Sequence, residues 1–363
     1  MTFFIVGYMH PKYDKRVYRT VRALSESNKV IYQYITKEEE FEYIEGNIKY
    51  IPIVYGKRLS SNFQEFKRRK VLDEKIFKMI EDFDYEVLYM HHFLPTKPIL
   101  PFKLAKKKGK RIIYDVHELH PDNFMESLTG FKKKIKEFLM WKIFKKQLKL
   151  SDKSIFVSEE MLDYVKKFID FDIKAKVITN YAEDFLNNDM KEKVISFVGK
   201  TARVLDNEIL LLQNLLKNGF KFRIIGFDSD DFKGVKHDFT SFLPYEDMMM
   251  EISKTSFSLI SYTLSENEIP LNFIFSMPNK FFDSLAAGTP VIVNKNFESM
   301  ANMVEKYGIG VVIDPKNVEN STEDILKIYD DYDIILRNLD LYKEEFLWTE
   351  DKKNDYLNFV VKV

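Results

Sequence analysis

Short β-branched runs and amphipathic segments take turns along this whole chain, and that alternation limits its fold more than any other feature. In the first half the runs are "FFIVG" (3–7), "KVIYQY" (29–34), "IKYIPI" (48–53), "EVLYMHH" (86–92), "KRIIYDV" (110–116), "KSIFVS" (153–158) and "KVIT" (176–179). They have the length of strands, and segments of helical period separate them, as in 14–27, where Val17, Val21 and Leu24 share one face. The second half repeats the rhythm with "VISFVG" (194–199), "FRIIGF" (222–227), "FSLISY" (257–262), "PVIVN" (290–294) and "GVVI" (310–313). Helical patterns lie near 206–217, 245–254, 278–287, 298–307 and 319–330, and 333–363 reads as an amphipathic helical tail. Apolar strands alternating with helices predict parallel sheets with helices on both faces.

A chain of 363 residues is long enough for two such domains, each with its own core. The apolar period lapses in "NYAEDFLNNDMKEK" (180–193), where turn formers cluster. The expected division is therefore 1–185, 186–345, and a C-terminal helix at 346–363 that packs back towards the first domain. Ligands of doubly wound sheets bind at the carboxyl ends of the strands, so the expected site is a cleft between the domains. Charge is uneven: 1–190 hold 36 Lys/Arg against 28 Asp/Glu and 191–363 hold 20 against 28, about +8 and −8. The absence of cysteine excludes disulfides, cysteine-bound zinc and a thiol nucleophile. The short apolar run at 1–7 is no signal peptide, and no 18-residue apolar stretch occurs, so a cytoplasmic protein is expected.

The most informative segment is "MPNKFFDSLAAGTPVIV" (277–293). Pro278 suits a first helical turn, with Ser276 placed to cap it. Gly288 suits the left-handed residue past the helix end, and Pro290 stops the helix before a buried strand. The free N–H groups of such a helix start attract anions. Lys280 adds a cation there, and Asp283 can accept from the two hydroxyls of a diol. The plainer reading makes Lys280 and Asp283 a surface pair three residues apart.

This segment closely resembles the Pro-x-Lys-x-x-Glu…Ala-Ala-Gly-x-Pro-Val-Ile stretch of GT-B glycosyltransferases, especially the retaining family 4 type. "HPKYDKRVYRTVRAL" (10–24), "IIYDVHELHPDNF" (112–124), "FVSEEM" (156–161), "ITNYAED" (178–184) and "ISFVGKTARVLDNEILL" (195–211) extend the likeness over most of the chain. The resemblance implies two Rossmann-like domains facing across a cleft, the C-terminal one holding a nucleotide sugar. It implies donor contacts from Gly199, Lys200, Asn279, Lys280 and Asp283, with Arg203 an alternative to Lys200 at the diphosphate. It also gives His117 the catalytic contact to the donor sugar. "FRIIGF" and "SFLPYEDM" (241–248) would lie near the base, or be only a strand and a helix start. Two departures stand out: the family's first Glu is Phe275 here, and its second is Asp283. Glu266 or Glu268 are candidates to replace the first.

His117 follows the strand "RIIYDV", where α/β sheets place ligands, and the alternative is a turn histidine bonded to local backbone. Asp115, Glu118 and His120 share its loop, but HELH lacks the spacing of a HExxH zinc site, so no metal is expected. In the loop "GYMHPKYDKR" (7–16), His10, Asp14 and Arg16 are acceptor-side candidates, with Arg16 and Arg19 otherwise solvated helix positions. Glu118 joins that acceptor-side set. "FKKKIKEFLMWKIFKKQLKL" (131–150) sets Trp and Phe among eight lysines. It reads as a helix lying on an anionic membrane surface, or as a core helix with a solvated basic face. No nucleic-acid module appears.

The expected activity is glycosyl transfer, with retention, from a nucleotide-diphosphate donor to a hydroxyl acceptor, a lipid-linked or growing cell-surface glycan. No cofactor beyond the sugar nucleotide is expected. The protein would work in the cytoplasm, peripherally on the inner face of the membrane. The alternatives are a nucleotide-sugar epimerase and, because of Phe275, a non-catalytic GT-B partner of another transferase.

Overall fold

The computed structural model describes residues 1–56, 61–91, 95–122, 128–186, 190–199, 206–227, 232–261 and 269–362. These form two compact units, Met1–Thr179 with Asp351–Val363, and Asn180–Glu350.

The first unit is built on eight strands: β1 (Thr2–Pro11), β2 (Lys29–Thr36), β3 (Tyr43–Glu45), β4 (Ile48–Val54), β5 (Val87–His91), β6 (Arg111–Val116), β7 (Lys153–Phe156) and β8 (Ala175–Val177). Their order is β3-β4-β2-β1-β5-β6-β7-β8. Every pairing is parallel except the β3–β4 hairpin at one edge. Phe3, Phe4, Ile5 and Val6 of β1 are fully buried, as an unbroken apolar run in a central strand requires. The strand order reverses between β1 and β5, and that switch point is where ligands of such sheets bind. The helix Glu350–Val361 contributes to this unit: Lys353 pairs with Glu26 at 2.9 Å and Tyr356 is buried.

The second unit has six parallel strands: β9 (Glu192–Gly199), β10 (Lys221–Gly226), β11 (Asp238–Ser241), β12 (Thr255–Ile260), β13 (Val291–Asn294) and β14 (Gly310–Ile313). The order β11-β10-β9-β12-β13-β14 puts its switch point between β9 and β12. Helix Asn279–Ala286 leads into β13 through Gly288, whose φ of +65° is left-handed. The Gly288 N–H donates to Leu285 O at 3.0 Å and Thr289 N–H to Ser284 O at 2.9 Å, closing the helix end. The helix start differs from expectation: Pro278 is itself the capping residue, in extended conformation, and no side chain caps the turn, so Ser276 does not. Among the described residues no helix is long and apolar enough to cross a membrane.

Candidate functional site

In the first unit, the carboxyl ends of β1, β5 and β6 bring His10, His91, Asp115 and His117 together. Asp115 is buried and organises the group. Arg16, from helix Lys15–Ser25, donates to Asp115 Oδ1 through Nη2 at 2.7 Å and Nε at 3.1 Å, and through Nη1 to Ile178 O at 2.6 Å. Tyr89 donates to Asp115 Oδ2 at 3.2 Å. His91 Nδ1 lies 3.3 Å from the same oxygen and 3.0 Å from His117 Nε2. A carboxylate only accepts, so His91 carries its proton on Nδ1 and His117 Nε2 is left as an acceptor.

Burial alone would raise the Asp115 carboxyl, but the Arg16 guanidinium holds it well below the usual range. Burial pushes both His91 and His117 down, and Arg16 adds to that for each, with Asp115 opposing. Both imidazoles are therefore neutral at pH 7. The ligand atoms of His91, Asp115 and His117 lie within 4.8 Å of one another, but the guanidinium on Asp115 already balances its charge and repels a cation. The arrangement suits a neutral imidazole bonded to a sugar hydroxyl, held by a charge-neutral base.

The last residues of β1, where its register with β2 shifts between Val6 and Pro11, are pinned by side-chain hydrogen bonds. Tyr8 has a φ of +52°, costly for a residue with a side chain. The buried Gln33 amide compensates, accepting from Tyr8 N–H at 2.8 Å and donating to Tyr8 O at 3.1 Å. The Tyr8 hydroxyl donates to Asp73 at 3.0 Å and accepts from Arg69 at 2.8 Å. This fixes His10, whose Nδ1 donates to Gly7 O at 2.6 Å and whose ring centre lies 5.2 Å from that of His117.

The other acceptor-side candidates divide. Asp14 caps helix Lys15–Ser25 by accepting from Val17 N–H. Arg16 and Arg19 are buried rather than solvated, and Arg19 donates to Thr179 O at 2.7 Å. Glu118 is exposed, while His120 is buried with Nδ1 2.9 Å from the Tyr114 hydroxyl. His91 was the residue sequence reasoning passed over; the signal was the histidine pair ending "EVLYMHH".

In the second unit, Gly199 ends β9 with φ +93° and pairs with Gly226 of β10, with φ +113°. Neither backbone position suits a side chain, so bare backbone lies at the switch point. Lys280 is half-buried, with Nζ 3.3 Å from Ser261 O and 4.8 Å from the Phe197 ring centre. Burial pushes its amine down to about 8. Asp283 is buried and accepts from Tyr245 at 2.9 Å, and burial followed by the Asp283 charge pushes that phenol up. Thus each side chain has a partner of its own deeper in the unit. Asn279 is exposed at the helix start, and Phe275 is buried where the resemblance has an acid. Ser261 donates to the buried Glu208 at 2.7 Å, a link with no sequence signature. Lys200, Arg203, Glu266 and Glu268 lie outside the described residues.

Residues 15–182 match the model of Glycosyltransferase Family 4. Among solved structures, HepE from Anabaena in complex with UDP and glucose has a TM-score of 0.66 at 10% identity, covering 100% of both chains. Sucrose-phosphate synthase from Thermosynechococcus elongatus has 0.64 at 13%, covering 96% of this chain and 95% of that one. WaaG, a glycosyltransferase involved in lipopolysaccharide biosynthesis, has 0.62 at 10%, covering 100% of both. No curated protein sequence matches the chain.

Proposed function

We propose that this chain, a family 4-like glycosyltransferase of GT-B fold, transfers a sugar with retention from a nucleoside diphosphate donor to the hydroxyl of a cell-surface or lipid-linked glycan. The acceptor oxygen bonds to the anomeric carbon as the bond to the diphosphate breaks, and the nucleoside diphosphate leaves. The observation that carries this reading is Lys280 and Asp283 on the opening turns of helix Asn279–Ala286, with the Lys280 amine 4.8 Å from the ring centre of Phe197 in β9. Helix-end N–H groups and Lys280 neutralise the leaving diphosphate, and Asp283 accepts from the ribose diol. Lys200 or Arg203 adds a further phosphate contact. His117, held neutral by its network, serves the transfer step, and His10 and Glu118 line the acceptor side, with the buried Arg16 holding Asp115 behind them. HepE's complex with UDP and glucose supports a uridine donor as the first to try.

Contact with the inner membrane surface has its own support. Helix Gly130–Leu150 buries Trp141, Phe144 and Leu148 but leaves Phe131 77%, Phe138 68%, Leu139 50% and Ile135 44% exposed among lysines. Such a face suits an interfacial helix drawn to anionic lipid.

The test of the donor reading is a thermal-shift screen against a panel of nucleotide sugars. A donor bound by the native fold raises Tm by mass action, about 2.7 kcal/mol of added stability at a hundred times Kd. If no sugar nucleotide shifts Tm at saturating concentration, the donor assignment fails.

A further inference from the structure

His91 Nδ1 and His117 Nε2 face each other across 3.0 Å, a gap with room for one proton, and the surroundings of His91 decide which ring supplies it. Were His117 the donor, the bare Nδ1 of His91 would turn its lone pair on Asp115 Oδ2, 3.3 Å away. The His91 proton would then sit on Nε2, which is buried and has no hydrogen-bond partner among the described residues. A buried N–H left unpaired is costly, and the lone pair against a carboxylate adds repulsion. With the proton on His91 Nδ1 the repulsion becomes attraction, and Nε2 keeps a lone pair, which is the less costly orphan.

Asp115 does not fill this role itself. Its Oδ1 accepts twice from Arg16, and its Oδ2 accepts from Tyr89 with the His91 N–H alongside. His117 Nε2 lies 3.7 Å from Oδ1, beyond hydrogen-bond range. Asp115 and His117 are two residues apart in sequence, yet no carboxylate–imidazole pair activates the ring as a base.

From this geometry we infer that His91 is a positioning residue that locks His117 into the tautomer protonated on Nδ1. His117 therefore meets its ligand through an N–H, as a hydrogen-bond donor to a sugar oxygen. It does not take the proton of the acceptor hydroxyl, because His91 occupies its lone pair. This assignment rests on the role of His117 proposed above, and adds which way its hydrogen bond runs and which residue sets it.

Histidine-selective nitrogen NMR at about pH 8, where both buried rings are neutral, reads the tautomer directly. The His117 signals are identified by their loss in His117→Ala. The wild type should show a protonated Nδ1 and a bare Nε2. In His91→Leu, Nε2 of His117 faces the carboxylate with no donor between them, so the proton should move to Nε2. His91→Asn returns an amide N–H to that place and should restore the Nδ1–H form. Release of nucleoside diphosphate from a bound donor, without acceptor, should follow the tautomer. It should fall about five- to ten-fold in His91→Leu, as for one hydrogen bond lost, and stay near wild type in His91→Asn. Nucleoside diphosphate affinity should be unchanged in both variants. A wild-type His117 protonated on Nε2 overturns the inference, whichever variants fold. So does a His91→Leu protein that loses release while His117 keeps its proton on Nδ1, which would assign His91 to packing alone. A tautomer set by His91, together with unchanged release in His117→Ala, would keep the positioning role and defeat the catalytic reading of His117.

Discussion

Lys280 is a cation whose charge is conditional, because burial has pushed its amine down to about 8. A diphosphate beside it would restore the higher value, so binding above that pH must take up a proton. Below pH 8 the amine is protonated with or without ligand and affinity is flat; above it, affinity falls by up to about tenfold per pH unit. Calorimetry of nucleoside diphosphate binding should show this break in the wild type and none in Lys280→Gln. Asp283→Ala should weaken nucleotide binding by about 1.5 to 3 kcal/mol, the loss of charge-assisted hydrogen bonds. If Tyr245 only orients the carboxylate, Tyr245→Phe should cost much less in the same titration. The helix that carries Lys280 and Asp283 was legible from the proline and glycine that bracket it, while their donor-side role comes from the resemblance and is tested by these titrations. Their partners Ser261 and Tyr245 were not legible, because those contacts join residues distant in sequence and depend on how the strands stack.

The elements show the same division. The central strands were readable because burial on both faces demands continuous apolar runs, and most observed ends fall within about two residues of the expected ones. The edge strands β3, "YIE", and β11, "DFTS", were missed because each is short and largely exposed, with no apolar run to see. Arg16 was misread as potentially solvated because its carboxylate partner is 99 residues away. Two elements yield stability tests by denaturant unfolding. Gln33→Ala orphans both polar groups of the Tyr8 backbone and should cost about 1 to 3 kcal/mol. Gly288→Ala should also destabilise, since a Cβ there would come 2.9 Å from Leu186 O and φ is +65°. A neutral effect at Gly288 would mean that the helix end relaxes.

For the whole molecule, the buried histidines set how stability follows pH. His91 and His117 are held below their ordinary value when folded, so the unfolded chain takes up protons first, from about pH 6.5 downward. Their contribution is complete above that pH and is lost as pH falls towards the folded values. Asp115, held low by Arg16, adds a second loss below about pH 4. Tm should therefore drop between about pH 7 and 5, earlier than carboxylate protonation alone would cause, and His91→Gln should flatten that part of the curve. The proposed function requires the chain to catalyse transfer and not only to bind a sugar nucleotide. Its most direct test is slow release of nucleoside diphosphate from a bound donor in the absence of acceptor, in the wild type and in His117→Ala, with nucleoside diphosphate affinity measured alongside. The wild type should release product measurably, and His117→Ala should lose most of that release at nearly unchanged affinity. A wild-type protein that binds the donor and never releases product would contradict it and mark the chain as a non-catalytic partner.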